Sequence, residues 1–183
     1  MVHNFHTVLA MRTLFRCVTT ALLILTLVGC AGSAGAPSAE GVAYVLSDEP
    51  DQPMGVIALK SLITSGSAGS DEVALIGRVG GGQVETWDAS QAAFVVRDMS
   101  LHIETHDHGG DQDNCKFCQA EKASQIEAMA QVQIVDENGN IVSTDARTLL
   151  GLKENHIVVA QGTGEVDEVG NFVFSATKVY VRR

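Results

Sequence analysis

AMAQVQIVD, Ala128 to Asp136, alternates Ala130, Val132 and Ile134 against Gln131 and Gln133. A period of two is the mark of a strand with one buried face. Glu137-Asn138-Gly139-Asn140 follows as a turn signal. Ser143 or Thr144 can then cap a short helix, Asp145 to Leu152, with Leu149, Leu150 and Leu152 on its apolar side. HIVVAQGTGEV, His156 to Val166, and NFVFSATKVYV, Asn171 to Val181, read as two further strands, turning at Glu168-Val169-Gly170-Asn171. One short helix, with strands before and after it, limits the architecture to a few β-rich choices.

Upstream the pattern stays β-rich. VALIGRV, Val73 to Val79, reads as a strand ended by Gly80-Gly81-Gly82, and AAFVVRDMSLHI, Ala92 to Ile103, as a longer one. Gly55 to Leu59 is expected to form a short strand between Pro53 and the loop Ser65 to Ser70. From Asp71 onward the order is strand, strand, strand, short helix, strand, strand. That order resembles the OB-fold, a five-stranded Greek-key barrel. G-R-V closing the first strand, V-V-R-D in the second and V-V-A-Q-G-T-G-E-V in the fourth carry the local texture of the likeness. The resemblance covers Asp71 to Arg183 and is nearest to small exported bacterial OB-fold lipoproteins. It implies a mainly β domain at 71–183 with a His/Cys loop inserted at 104–120, preceded by an N-terminal extension at 42–70.

The N-terminus supplies the rest of that likeness. Arg12 and Arg16 precede an uncharged apolar run, Val18 to Val28, which ends in Leu27-Val28-Gly29-Cys30. This is the layout of a secretory signal. The run is too short to span a bilayer, which needs about 20 apolar residues. Leu27 to Cys30 resembles a lipobox, in which the cysteine is lipidated and begins the mature protein. The likeness implies a signal peptide at 1–29, lipidation at Cys30, export, and anchoring to the membrane of the cell envelope. Met11 would also serve as a start. Ala31 to Gly41, rich in Gly, Ser and Ala, reads as a flexible tether within 30–41.

The full chain carries 12 Lys and Arg against 22 Asp and Glu, a net charge of −10. Arg12 and Arg16 leave with the signal and no acid does, so the mature domain is more acidic still. Acidity of this order opposes binding to a phosphate backbone. Aromatic residues make up only 5% of the chain, too few for the stacking platforms of single-strand binders. The partner expected is therefore the membrane through Cys30, together with an envelope protein or small ligand; a nucleic-acid or oligosaccharide ligand is the second alternative.

One constellation carries chemistry. His106-Asp107-His108 is followed after six residues by Cys115-Lys116-Phe117-Cys118. Histidines one residue apart point to one side of an extended chain, and C-x-x-C brings two thiolates around a tight turn. Imidazole with thiolate suits Zn²⁺, with copper as the softer choice. His102, Asp107 and Asp111 stand where they can support these four ligands. The rival is a Cys115–Cys118 disulfide. Cys17 leaves with the signal and lipid occupies Cys30, so one pair remains in an oxidising compartment. That pair would be structural or thiol-redox. A closed His₂Cys₂ site is structural, so the favoured reading is a binding module rather than an enzyme, and no catalytic residue is assigned.

Smaller features are plainer. Trp87 reads as core or rim packing, Phe94, Phe172 and Phe174 as core, and His156 as a solvated histidine at the start of a strand. Gly162 and Gly164 fit a sharply bent barrel strand, and no helix follows them as a phosphate loop would require.

Overall fold

The alternation along the chain becomes a sheet rolled into a closed barrel. The computed structural model describes residues 35–66, 71–82, 84–101 and 124–182. Its strands are β1 (Met54–Gly55), β2 (Val73–Val79), β3 (Ala93–Arg97), β4 (Met129–Ile134), β5 (Ile157–Val166) and β6 (Phe172–Arg182). Helix α1 spans Val56–Thr64 and helix α2 spans Ala146–Leu150. The sheet order is β1-β2-β3-β4-β6-β5, and β2 also pairs with β5, which closes a five-stranded ring. Every pairing in the ring is antiparallel except β4 with β6. The architecture is mainly β and OB-like, with α2 between the third and fourth barrel strands as the sequence order anticipates.

The inward residues form one core. Leu75, Val79, Phe94, Val96, Val132, Ile134, Val158, Phe174 and Val179 are each at most 1% exposed. Each such side chain contributes roughly 1.5–3 kcal/mol through burial. At Gln161/Gly162 the β5–β6 register slips by one residue. A Cβ on Gly162 would lie 2.0 Å from the Ser175 carbonyl oxygen, so the bulge brings the two backbones too close for any side chain.

α2 is capped differently from the expectation of Ser143 or Thr144. Asp145 is the capping residue, and its carboxylate accepts from the Arg147 N–H at 2.8 Å. It stands directly before the first helical turn, with a non-helical backbone at φ −50° and ψ 130°. The helix stops at Gly151, whose φ of 67° is the left-handed conformation that ends helices.

The chain before Asp71 departs most from the sequence reading. Gly55 to Leu59, expected as a strand, supplies one strand residue and then enters α1. Val56 and Leu59 are fully buried whereas Ile57 is 49% exposed. Burial three residues apart is helical spacing; a strand would have buried Ile57 together with Leu59. β1 pairs in parallel with Leu75 and Ile76, along the part of β2 that β3 leaves uncovered. α1 lies over the barrel end where β5 finishes and β6 begins, with Ile63 beside Gly164 and Phe172 on the same side.

The tether assigned up to Gly41 is docked over its last residues. The Ser38 N–H donates to the Leu149 carbonyl at 3.0 Å, the Gly41 N–H donates to Ser38 Oγ at 3.0 Å, and Gly41 is buried. A 3-10 turn, Gly41–Tyr44, then leads to a Val45–Val179 bridge beside β6. Small residues suit a flexible linker and a tight backbone approach equally well, and here α2 supplies the surface to approach. β3 is also shorter than the expected Ala92 to Ile103. Asp98 folds the chain back by accepting from the Ser100 N–H at 2.9 Å and from its hydroxyl at 2.6 Å.

Candidate functional site

The outer face of β3 and β4 is built by the same alternation that builds the core. Phe94 and Val96 point inward, so Ala93, Val95 and Arg97 lie on the other face. On β4, Val132 and Ile134 are buried and Gln131 and Gln133 face out. Register sets Val95 opposite Gln131 and Ala93 opposite Gln133. The chain between β2 and β3 returns along the other edge of β3. There the Val95 N–H donates to the Thr86 carbonyl at 2.8 Å and the Asp88 N–H donates to the Ala93 carbonyl at 3.0 Å.

These elements enclose a shallow cleft of about 300 Å³, lined by Glu85, Thr86, Asp88, Val95 and Gln131 among others. Asp88 is held below the usual carboxylate range by the Ser90 hydroxyl and N–H, so it is ionised at neutral pH. Thr86 is buried; its hydroxyl accepts from the Gly81 N–H at 3.1 Å and donates to Glu154 at 3.1 Å. The lining is about equally polar and apolar, with Glu85 and Asp88 as its acids. It suits hydrogen-bonding contacts.

Trp87 belongs to the cleft lining and to the core. It bridges Phe94, a core residue, and packs against the core with ring centroids 6.1 Å apart. The Arg147 guanidinium lies 5.6 Å from its ring centroid. Core packing, with a cation over the ring, is thus the role of the single tryptophan. Phe94, Phe172 and Phe174 are core residues as read from their strands. His156 immediately precedes β5, where its ring accepts from the Lys153 N–H at 3.4 Å.

The lipidation residue Cys30 lies outside the described residues, as do His102, His106, Asp107, His108, Asp111, Cys115 and Cys118. The structure does describe where their loop is rooted. The chain leaves at Leu101 and returns at Ser124, in a helical turn over 124–127. The Asp98 N–H donates to the Ala128 carbonyl at 2.8 Å, joining the two stems. The Asp98 carboxylate also accepts from the Ile57 N–H at 3.0 Å. Burial acts to raise the Asp98 pKa, but the hydrogen bonds from Ser100, Ile57 and Val56 outweigh it and hold the group below its ordinary value. Among the described residues no three His, Cys, Asp or Glu side chains converge as metal ligands. Among the same residues no helix is long and apolar enough to cross a membrane.

Sequence reasoning passed over Asp98, Arg78 and Arg97. The two arginines stood at the outward positions of V-V-R-D and G-R-V, but only register shows that they are neighbours. Comparison of the chain with protein-family models, curated proteins and solved structures finds no match.

Proposed function

We propose that this chain is an exported, lipid-anchored binding module without enzymatic activity. Cys30 carries the lipid, and the OB-like barrel presents its outer β3–β4 face to a ligand or envelope partner. The His/Cys loop binds a structural Zn²⁺ through His106, His108, Cys115 and Cys118. The observation that carries the reading is the way the loop is rooted. A segment with two histidines and two cysteines is inserted between barrel strands whose stems are joined by Asp98 and Ala128. An ion in such a loop shortens the free chain between fixed ends, which is how structural zinc contributes to stability.

The cleft at Thr86, Asp88 and Gln131 supports the binding reading, since it gathers polar groups on the outer β3–β4 face. Its acidic lining and the net charge of −10 weigh against nucleic acid.

The test uses the full chain expressed in a bacterial host and extracted from membranes. The mass of the N-terminal peptide and the metal content of the protein are measured together with a thiol count. A mature protein beginning at an acylated Cys30 and carrying one zinc per chain, with both thiols reduced, is the expected result. An unacylated Cys30 overturns the anchor. Substoichiometric metal with Cys115 and Cys118 oxidised overturns the zinc site in favour of a disulfide.

A further inference from the structure

Arg78 and Arg97 are direct partners across the β2–β3 ladder. Their neighbours Val79 and Val96 are fully buried, so both guanidiniums lie on the outer face of the barrel. Like charges set opposite one another destabilise a sheet. The chain nevertheless holds them together. Arg78 Nη1 donates to the Asn155 carbonyl at 3.2 Å, and Arg97 Nη2 donates to Asn155 Oδ1 at 3.0 Å.

Asn155 is itself fixed, with its N–H donating to the Val79 carbonyl at 2.8 Å and its φ at 67°. That conformation is uncommon for a residue other than glycine, so the turn costs something to hold there. Among the described residues, Lys60, Arg147 and Arg182 each pair with a carboxylate. No such ion pair is made by Arg78 or Arg97 within those residues. Glu154 acts on Arg97 through space while its carboxylate accepts from Thr86. Burial first, and the Arg78 charge after it, press the Arg97 pKa downward, while Glu154 acts in the opposite direction.

We propose that Arg78 and Arg97 form an oxyanion-binding site that takes a phosphate or carboxylate group across the two guanidiniums. A guanidinium fork matches either group through paired N–H donors. Asn155 orients both forks, and Arg97 Nη1 also donates to the Gly80 carbonyl at 3.5 Å, which together occupy only part of their donor capacity. An anion between them would remove the like-charge repulsion. The chain as a whole repels anions, so one retained here is held by this pair rather than by a basic surface. The inference stands whether or not the cleft at Thr86 and Gln131 takes a ligand.

The full chain is titrated at constant ionic strength with methyl phosphate in one arm and acetate in the other, while the arginine Nε–H signals are followed by NMR. Saturable shifts at Arg78 and Arg97 in at least one arm are expected, with Arg147 unmoved. The responding arm identifies the anion. Arg97→Gln should weaken binding by about tenfold or more through loss of a charge-assisted hydrogen bond. Arg97→Lys should weaken it as well, since it keeps the charge and loses the fork. Absence of saturation in both arms overturns the site, and so does unchanged affinity in a folded Arg97→Gln variant. The wild-type titration decides alone if a variant does not fold.

Discussion

The Asp98 carboxylate accepts the backbone N–H of Ile57 at 3.0 Å, across 41 residues of sequence. One buried acid, 8% exposed, thereby caps α1, folds the end of β3 through Ser100 and roots the His/Cys loop. The end of a barrel strand and the start of the helix that covers the barrel are thus one structural unit. Among the described residues no salt bridge is involved. The partners are backbone N–H groups that the first turn of a helix leaves without intrahelical acceptors.

Asp98→Ala removes that cap and strands the N–H groups it served. A loss of about 2–3 kcal/mol in unfolding free energy is expected from the cap and the lost charge-assisted bonds. Asp98→Asn retains an acceptor and should cost less. Urea denaturation of the two variants measures this, and a loss below about 0.5 kcal/mol for Asp98→Ala would remove Asp98 from its role as a cap.

Stability should fall on the acid side. Both Asp98 and Asp145 lie below their ordinary carboxylate value in the folded protein, Asp98 through backbone and Ser100 hydrogen bonds that exceed the effect of burial, Asp145 chiefly through Arg147. The unfolded chain therefore binds more protons than the folded one in this range, and stability rises with pH there. Their contribution is complete above the unfolded value of about 3.9 and is lost as pH drops through the folded values. Midpoints measured from pH 7 downward should be level until about pH 5 and then decline. Asp98→Asn should make that decline shallower; an equally steep curve would show that other groups govern it.

Gly162→Ala should be among the most damaging single substitutions in the barrel. The new Cβ would sit 2.0 Å from the Ser175 oxygen and 2.9 Å from the Ala176 Cα, both of them backbone. Relief requires the β5–β6 bulge to open, at a cost of about 1–3 kcal/mol or more. Thermal melts followed by circular dichroism would detect it, and a wild-type midpoint would mean that the bulge is not as close as described.

Removal of metal should act through the β3–β4 stems. With a structural zinc ion in the His/Cys loop, chelation lowers the melting midpoint of the wild type by several degrees and leaves a Cys115→Ser, Cys118→Ser double variant unchanged. That variant should already melt at the chelated temperature, because binding to the folded state alone is the source of the added stability. A wild type indifferent to chelator but sensitive to reductant would point to the disulfide.

Most of the barrel was readable in the alternation of single stretches. Gln131 and Gln133 against Val132 and Ile134 identified β4 and its two faces, and the Leu149-Leu150 side of a short helix placed α2. The turn at Asp136 was equally local, since its carboxylate accepts from Asn138 and Asn140 a few residues away. The misread segment, Gly55 to Leu59, is apolar on nearly every residue and so carries no period to distinguish helix from strand. Its outcome depended on an acceptor at Asp98, which no window around Val56 contains. The docking of Ser38 and Gly41 on Leu149 was hidden for the same reason, with more than a hundred residues separating the partners.

The sequence by itself determined the two faces of β4, how many barrel strands there are and where the short helix falls among them. These follow from side-chain periodicity and turn chemistry, both of which act within a few residues. Tertiary structure alone decided the closure of β2 on β5, the helical fate of Val56 to Thr64, and the pairing of Arg78 with Arg97 over Asn155. Each of these rests on hydrogen bonds or charges brought together from distant parts of the chain. Their energies depend on register and distance, which exist only once the barrel has closed.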